Sequence, residues 1–303
     1  MQLRLGLTFH HVFYAPYYVA LHRGLFAAHG LDLATTVPGD GRLVLAGQAR
    51  GDLDVALGGI MRSLVSYDAG ESDAPLHFAR VNDRDGFFLV GRRAPFEWSD
   101  LIGQRLILFA EAPTPWYVLR AHLREHGLDP DGIEVVAGLP APEAAAAFRA
   151  GEADFVEAPA QIAEALVAEA GAVVVAEMAR EAGPIPYSSY SARREVLDSK
   201  PDALAALIRA HVAALAWMRS ASGAEIWETI APSFADADTA IFRRAVERYH
   251  RLEVWSSDAT LPRASFDRLA GLMQRGGLIQ RMAPYEACCD DSLTRAVLAV
   301  VDG

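Results

Sequence analysis

Two glutamates, a glycine pair and a set of aromatic residues lie just after short apolar runs, where side chains are free to meet a ligand. Glu111 and Glu157 each end such a run. Carboxylates there suit a ligand carrying N–H donors or a positive charge, although either could instead cap the next helix. Gly58-Gly59 precedes a helical pattern, so bare backbone N–H groups could hold an anion or a carbonyl oxygen, or simply let a tight turn close. Arg62, one turn further, could add a bidentate contact or point to solvent. Phe13, Tyr14, Trp116 and Tyr117 could stack on a planar ligand or belong to the core.

Three arrangements imitate catalytic or metal motifs. His122 and His126 form a literal H-x-x-E-H, which places both rings on one helix face as zinc requires. Gly127 ends that helix at once, and a histidine in a last turn is explained by the helix dipole. His10-His11 could be an acid–base pair, but adjacent residues after a strand point to opposite sides, so at most one reaches a site. Gly39-Asp40-Gly41 lacks the length and lysine of a phosphate loop. No metal site and no catalytic residue are expected.

The elements that must position these groups alternate between strand and helix. Residues 3–7 form an apolar strand, Pro16 opens a helix, Gly30 closes it and residues 31–33 begin a second strand: one βαβ unit, which requires a parallel sheet. Further strands are expected at 54–57, 75–81, 87–90, 105–110, 133–136, 153–156 and 172–175. Helices fall between them, which implies parallel sheets covered on both faces. The alternation is interrupted once, by the turn-rich Gly91-Arg92-Arg93-Ala94-Pro95, and from Arg193 onward helical patterns dominate. The fold class expected is α/β with two lobes and a helical C-terminal tail. Residues 1–90 and 191–303 form a discontinuous first lobe and 91–190 a second, with crossings near Val90-Gly91 and Ser188-Ser191. In sheets of this kind ligands sit beyond the carboxyl ends of the strands. That rule selects five segments: 10–14, 58–62, 80–85, 111–117 and 157–159. The ligand-binding set is therefore His10, Tyr14, Gly58, Gly59, Arg62, Arg80, Asn82, Glu111, Thr114, Trp116 and Glu157, with Tyr187 and Tyr190 added from the return crossing.

The formal charge of −11 on 303 residues excludes a nucleic-acid binder, which needs a clustered basic face. No apolar run is long enough to cross a bilayer, so no membrane insertion is expected. The first strand follows Met1 directly, so the chain as written reads as cytoplasmic, or as periplasmic if a leader was removed. Cys288 and Cys289 are the only cysteines and, being adjacent, read as a small apolar pair. Lys200, the only lysine, lies in a helix-start sequence and is expected to be solvated.

The order Pro16, Ala20, Arg23, Gly24, Phe26, Gly30, Leu31, Asp32 resembles the opening of the type II periplasmic binding proteins. The resemblance is to the branch that holds nitrate, sulfonate, taurine and thiamine-pyrimidine binders, the NMT1-like substrate-binding subunits of ABC importers. Gly151-Glu152-Ala153-Asp154 looks like the turn that precedes the family's strand back to the cleft. One branch, the fungal pyrimidine synthase, is an enzyme that consumes pyridoxal phosphate and its own histidine. Its lysine and histidine positions are matched here by Gly58 and Arg62, and Lys200 falls in the tail, so no cleft lysine can form a Schiff base. No cofactor is expected.

The resemblance implies a binding protein that closes two lobes on a small organic ligand, with an ABC permease as its partner. Two carboxylates beside aromatic faces favour a planar, nitrogen-bearing heterocycle of the thiamine-pyrimidine kind over a bare sulfonate or nitrate. The alternative is an enzyme of cofactor biosynthesis, a lyase or decarboxylase, on the same scaffold, since one fold hosts both.

Overall fold

A computed structural model describes residues 1–301 apart from 40, 72 and 111. The chain opens with β1 (Gln2–Leu7), α1 (Ala15–His22), α2 (Leu25–Ala28), β2 (Asp32–Thr36), α3 (Gly41–Ala49), β3 (Val55–Gly59), α4 (Met61–Asp68) and β4 (Leu76–Asn82). It continues through β5 (Phe87–Gly91), β6 (Arg105–Phe109), α5 (Thr114–Glu125), β7 (Glu134–Leu139), α6 (Ala141–Arg149), β8 (Phe155–Pro159), α7 (Ala160–Ala170), β9 (Val173–Glu177) and α8 (Met178–Glu181). It returns by β10 (Ser188–Ala192) to α9 (Arg194–Ser199), α10 (Pro201–Ser220), α11 (Gly223–Ile230), α12 (Thr239–Arg251), α13 (Arg263–Gly276), α14 (Tyr285–Cys288) and α15 (Ser292–Val301).

Two five-stranded sheets result, ordered β2-β1-β3-β10-β4 and β7-β6-β8-β5-β9. Each contains the parallel βαβ pairings that the strand–helix alternation demands, β1 with β2 and β3, and β6 with β7 and β8. Neither sheet is wholly parallel. Each also receives one antiparallel strand from a crossing segment, β10 in the first and β5 in the second. These strands enter from the other lobe and so run against their hosts.

Because β5 is hydrogen-bonded between β8 and β9, the sheets divide at residues 83–86 and not at Val90-Gly91. The turn at residues 91–95 is an ordinary connection inside the second lobe. The return crossing, residues 182–187, ends just before Ser188. The two crossings bond to each other, Ile185 N–H to Asp83 O (2.9 Å) and Tyr187 N–H to Asn82 O (3.0 Å). A third segment joins them, Asp83 N–H donating to Val254 O and Ser256 N–H to Val81 O.

The helical tail is shared between the lobes. α10 lies on α1, whereas α12 packs on α7 and α13 on α5 of the second lobe. Arg248 bridges Glu164 (2.6 Å) and Glu177 (2.9 Å). Gly276 lies so close to the Tyr117 carbonyl that a methyl group there would collide with backbone.

Candidate functional site

Between the lobes lies a cavity of about 190 Å³. Phe9, His10, His11 and Phe13 line it from the loop after β1, Phe87 from the start of β5, Phe109 from the end of β6, and Pro159 and Gln161 from the β8–α7 junction. Every contributor sits where a strand ends or a crossing begins, as the geometry of such sheets requires. The loop after β1 is held by its own side chains. His11 Nδ1 accepts from Phe13 N–H (3.1 Å), which leaves Nε2 to carry the proton, and that buried atom has no partner. Burial, then repulsion from His10, pushes the His11 pKa down to about 3, so the ring is a neutral donor. His10 lines the cavity with both nitrogens occupied, by the Tyr18 hydroxyl (2.9 Å) and Ser233 O (2.7 Å).

Behind the aromatic lining is a polar wall. Asp85 Oδ1 accepts from the N–H of Phe87 (2.8 Å), while its Oδ2 is buried without a partner. Glu157 shares its sheet face with Pro159, two residues on, and its Oε1 is likewise unpaired. Asn82 Nδ2 donates to Phe13 O (2.9 Å), leaving Oδ1 unpaired, and Gln161 Oε1 and the Tyr187 hydroxyl are unpaired too. Tyr249 closes the wall, donating to Gly86 O (2.8 Å) and accepting from Ala160 N–H (3.0 Å). Burial pushes Asp85 up to about 7. Burial, and then the neighbouring Asp85 charge, pushes Glu157 well above the usual carboxylate range. Burial and the Asp85 charge thus both oppose ionisation of Glu157, and the two carboxyl groups influence each other. Burial, followed by both carboxylates, also pushes Tyr187 well up. Buried polar atoms are normally hydrogen-bonded, so a wall with four open acceptor oxygens is built to meet donors.

The remaining expected residues are placed as follows. Tyr14 is buried, its hydroxyl on Thr8 Oγ1 (2.6 Å) and its ring stacked on Phe9 at 4.7 Å. Gly58 and Gly59 are the last residues of β3, and a methyl group at Gly58 would press on Thr8 at 2.7 Å, so close packing requires the glycine. Arg62 lies over Gly41 and lines an outer cavity between α3 and α4. Arg80 is held by Asp83 and Asp258 and is occupied within the fold. Thr114 is buried at the start of α5, and Trp116 is half-buried on its flank with Arg120 over the ring at 5.4 Å. Tyr190 points into the first lobe's core, against Phe78 and His211, because strand parity turns it away from the cleft. Glu111 lies outside the described residues. Lys200 is not free in solvent: its Nζ binds the buried Asp54 at 2.8 Å. The His122 and His126 rings lie tilted against each other at 4.3 Å, and His122 lies tilted against Trp98 at 4.3 Å, an aromatic cluster. The cysteines are buried and reduced, with burial pushing the Cys288 thiol up to about 12.

Sequence reasoning passed over Asp85, Gln161, Phe87 and Phe109 as individual ligand candidates. Asp85 was visible as the carboxylate before Gly86 at the head of an apolar run, but its burial depends on Tyr187 and Tyr249, which arrive from far along the chain.

Two sheets of one strand order, exchanged crossing strands and a cavity at the facing strand ends define a two-lobed binding-protein architecture. The chain belongs to the NMT1-like family, whose sequence pattern matches residues 1–231. YtlA of Bacillus subtilis (strain 168), named for an inferred binding role, is 26% identical over 299 residues, covering 98% of this chain and 90% of that protein. The periplasmic aliphatic sulphonate-binding protein SsuA of Escherichia coli superposes with a TM-score of 0.75 at 16% identity, covering 97% and 99% of the two chains. The DszB mutant complexed with biphenyl-2-sulfinic acid superposes at 0.70 and 16% identity, covering 99% of each chain. These structural likenesses establish shared fold.

Proposed function

We propose that this chain is the ligand-capturing subunit of an ABC-type importer. Its ligand would be a planar, nitrogen-bearing heterocycle of the aminopyrimidine kind, and it would hand that ligand to a permease. The observation that carries this reading is the set of open acceptors, Asn82 Oδ1, Asp85 Oδ2, Glu157 Oε1 and Gln161 Oε1, behind a cavity walled by phenylalanines. A flat ring between Phe9, Phe13, Phe87 and Phe109 would meet Gln161 Oε1, which lines the cavity, with the acceptors of Asn82, Asp85 and Glu157 one layer behind. A cavity of about 190 Å³ is smaller than the roughly 300–1,000 Å³ typical of larger ligands, which suits a single substituted ring. A bare sulfonate, as the name of SsuA describes, would face two carboxyl groups with little but the His11 N–H to hold it.

Calorimetry against 4-amino-2-methylpyrimidine, methanesulfonate and nitrate tests the reading. Binding of the aminopyrimidine is expected, with a loss of about 2–5 kcal/mol on Glu157→Gln. Tight binding of methanesulfonate, unchanged by Glu157→Gln, would overturn it.

One feature favours a second reading, an enzyme of the lyase or decarboxylase kind. A buried carboxyl group pushed to about 7 is poised for acid–base work at neutral pH. Mass analysis of candidate ligands after incubation separates the two readings, since a binding subunit returns its ligand unchanged.

A further inference from the structure

A second cavity, about 400 Å³, lies on the crossing segments and shares no lining residue with the cleft. Three bodies form its walls. Arg84 comes from the first crossing, Arg219 from the end of α10, which lies on the first lobe, and His250 from the end of α12, which packs on the second. Its apolar wall is Leu215, Met218 and Trp255.

One of the two guanidinium groups here, Arg219, lacks an acidic partner among the described residues. Arg219 donates one N–H to Ser257 O (2.7 Å) and has no carboxylate partner among the described residues, so most of its fork is open. Arg84 donates to Ala179 O (3.2 Å), and its carboxylate neighbour Glu253 is 3.9 Å away on a side chain 82% exposed. Asp83, the other acid of the lining, is bound by Arg80 and also faces Arg84, so Arg219 is the cation left without an acid. Ser256 adds a buried hydroxyl that has no partner. Two guanidinium groups and a hydroxyl above an aromatic and aliphatic wall match a carboxylate carried on an apolar body.

Such a molecule would touch the crossing segments and, through them, the cleft. The Trp255 indole N–H donates to Phe13 O (3.0 Å), the same oxygen that holds Asn82 Nδ2, and the Phe13 ring lines the interlobe cavity. We infer that this cavity is an effector site for a small organic carboxylate, which pins α10, α12 and the first crossing in one arrangement and thereby adjusts the cleft. The site stands on its own geometry and does not depend on which ligand the cleft takes.

Calorimetry of the full chain with phenylacetate, and with phenylacetamide as the uncharged control, tests it. Saturable binding of phenylacetate is expected, weakened about tenfold or more by Arg219→Met and by Arg84→Met. Arg219 is exposed, so its variant should fold, which an unchanged thermal midpoint verifies. The cleft variant Glu157→Gln should bind phenylacetate as the parent does. Equal binding of acid and amide, indifference to both arginine substitutions, or no saturable binding at about 10 mM each overturns the inference.

Discussion

Replacing Asp85 by asparagine should make the protein more stable, and by an amount that grows with pH. Asp85 is completely buried, and burial moves its pKa from 3.8 up to about 7. The folded state therefore keeps a proton that the unfolded chain releases above pH 3.8. The stability linked to that proton is fully present below 3.8 and is lost as pH rises through about 7. Each pH unit in that window is worth about 1.4 kcal/mol, so the whole loss approaches about 4 kcal/mol, an upper bound because buried sites relax. Asparagine keeps an oxygen for the Phe87 N–H and does not titrate. The parent's own pH profile would not reveal this, because several histidines act in the opposite direction, four of them strongly. Burial pushes His11 and His77 down to about 3 and His122 and His211 down to about 4, so their neutral burial adds stability as pH rises towards 6.5. The difference between variant and parent cancels the histidines and leaves Asp85 together with its effect on Glu157, whose ionisation the Asp85 charge opposes. Urea unfolding at about pH 5 and about pH 7.5 should show the advantage of Asp85→Asn rising by about 3 kcal/mol. A difference that does not change with pH, or one that shrinks, would refute the assignment of a buried, proton-holding carboxyl group.

Two further substitutions probe the frame around the site. Gly276→Ala drives a methyl group into the Tyr117 carbonyl, which is backbone and cannot step aside, so thermal unfolding should show a loss of about 1–3 kcal/mol. His77 lies buried between Ser63 Oγ (3.1 Å) and Ser189 Oγ (2.6 Å) and ties β4 to α4 and β10. His77→Ala should cost about 2–4 kcal/mol in urea unfolding, part of it recovered in His77→Gln.

Local signals carried the first lobe well. Pro16 stands in the first turn of α1 and Gly30 adopts φ +71° at the turn into β2, both as their chemistry requires. What misled were features decided at long range. Residues 87–90 form an apolar run that reads the same in either sheet, and only hydrogen bonding to β8 and β9 assigns it. Arg80 resembled a free cation because Asp258, one of its partners, lies far along the chain. Tyr190 was set beside Tyr187, yet a shift of three residues along an extended strand reverses the face, and the ring joined the core. Glu157 was placed at a strand end by the coincidence of a carboxylate, a proline and an apolar run, and it does lie in β8, whereas the unpaired state of its neighbours required the folded chain.

The helical tail also changes what lobe closure involves. A binding protein hinged only at residues 83–86 and 182–187 could open by bending two strands. Here α12 is tied to the second lobe by the pairs of Arg244 and Arg248 with Glu164 and of Arg248 and Arg251 with Glu177. α13 is fitted to α5 through Gly276, although α12 also packs on α11, which lies on α1 of the first lobe. Yet the segment just after α13 is fastened to the first lobe, where Asp68 of α4 accepts from the backbone N–H groups of Gln280 (3.0 Å) and Arg281 (2.8 Å). The tail is thus a strap fastened to both lobes, and beyond Asp68 its hold on the first includes Asp290 N–H donating to His77 O (2.9 Å) and the buried Thr294 hydroxyl donating to Phe78 O (2.6 Å), both on β4. Opening would therefore strain the chain between these two anchorages, and the resistance to opening is set by contacts outside the interlobe cavity as well as within it.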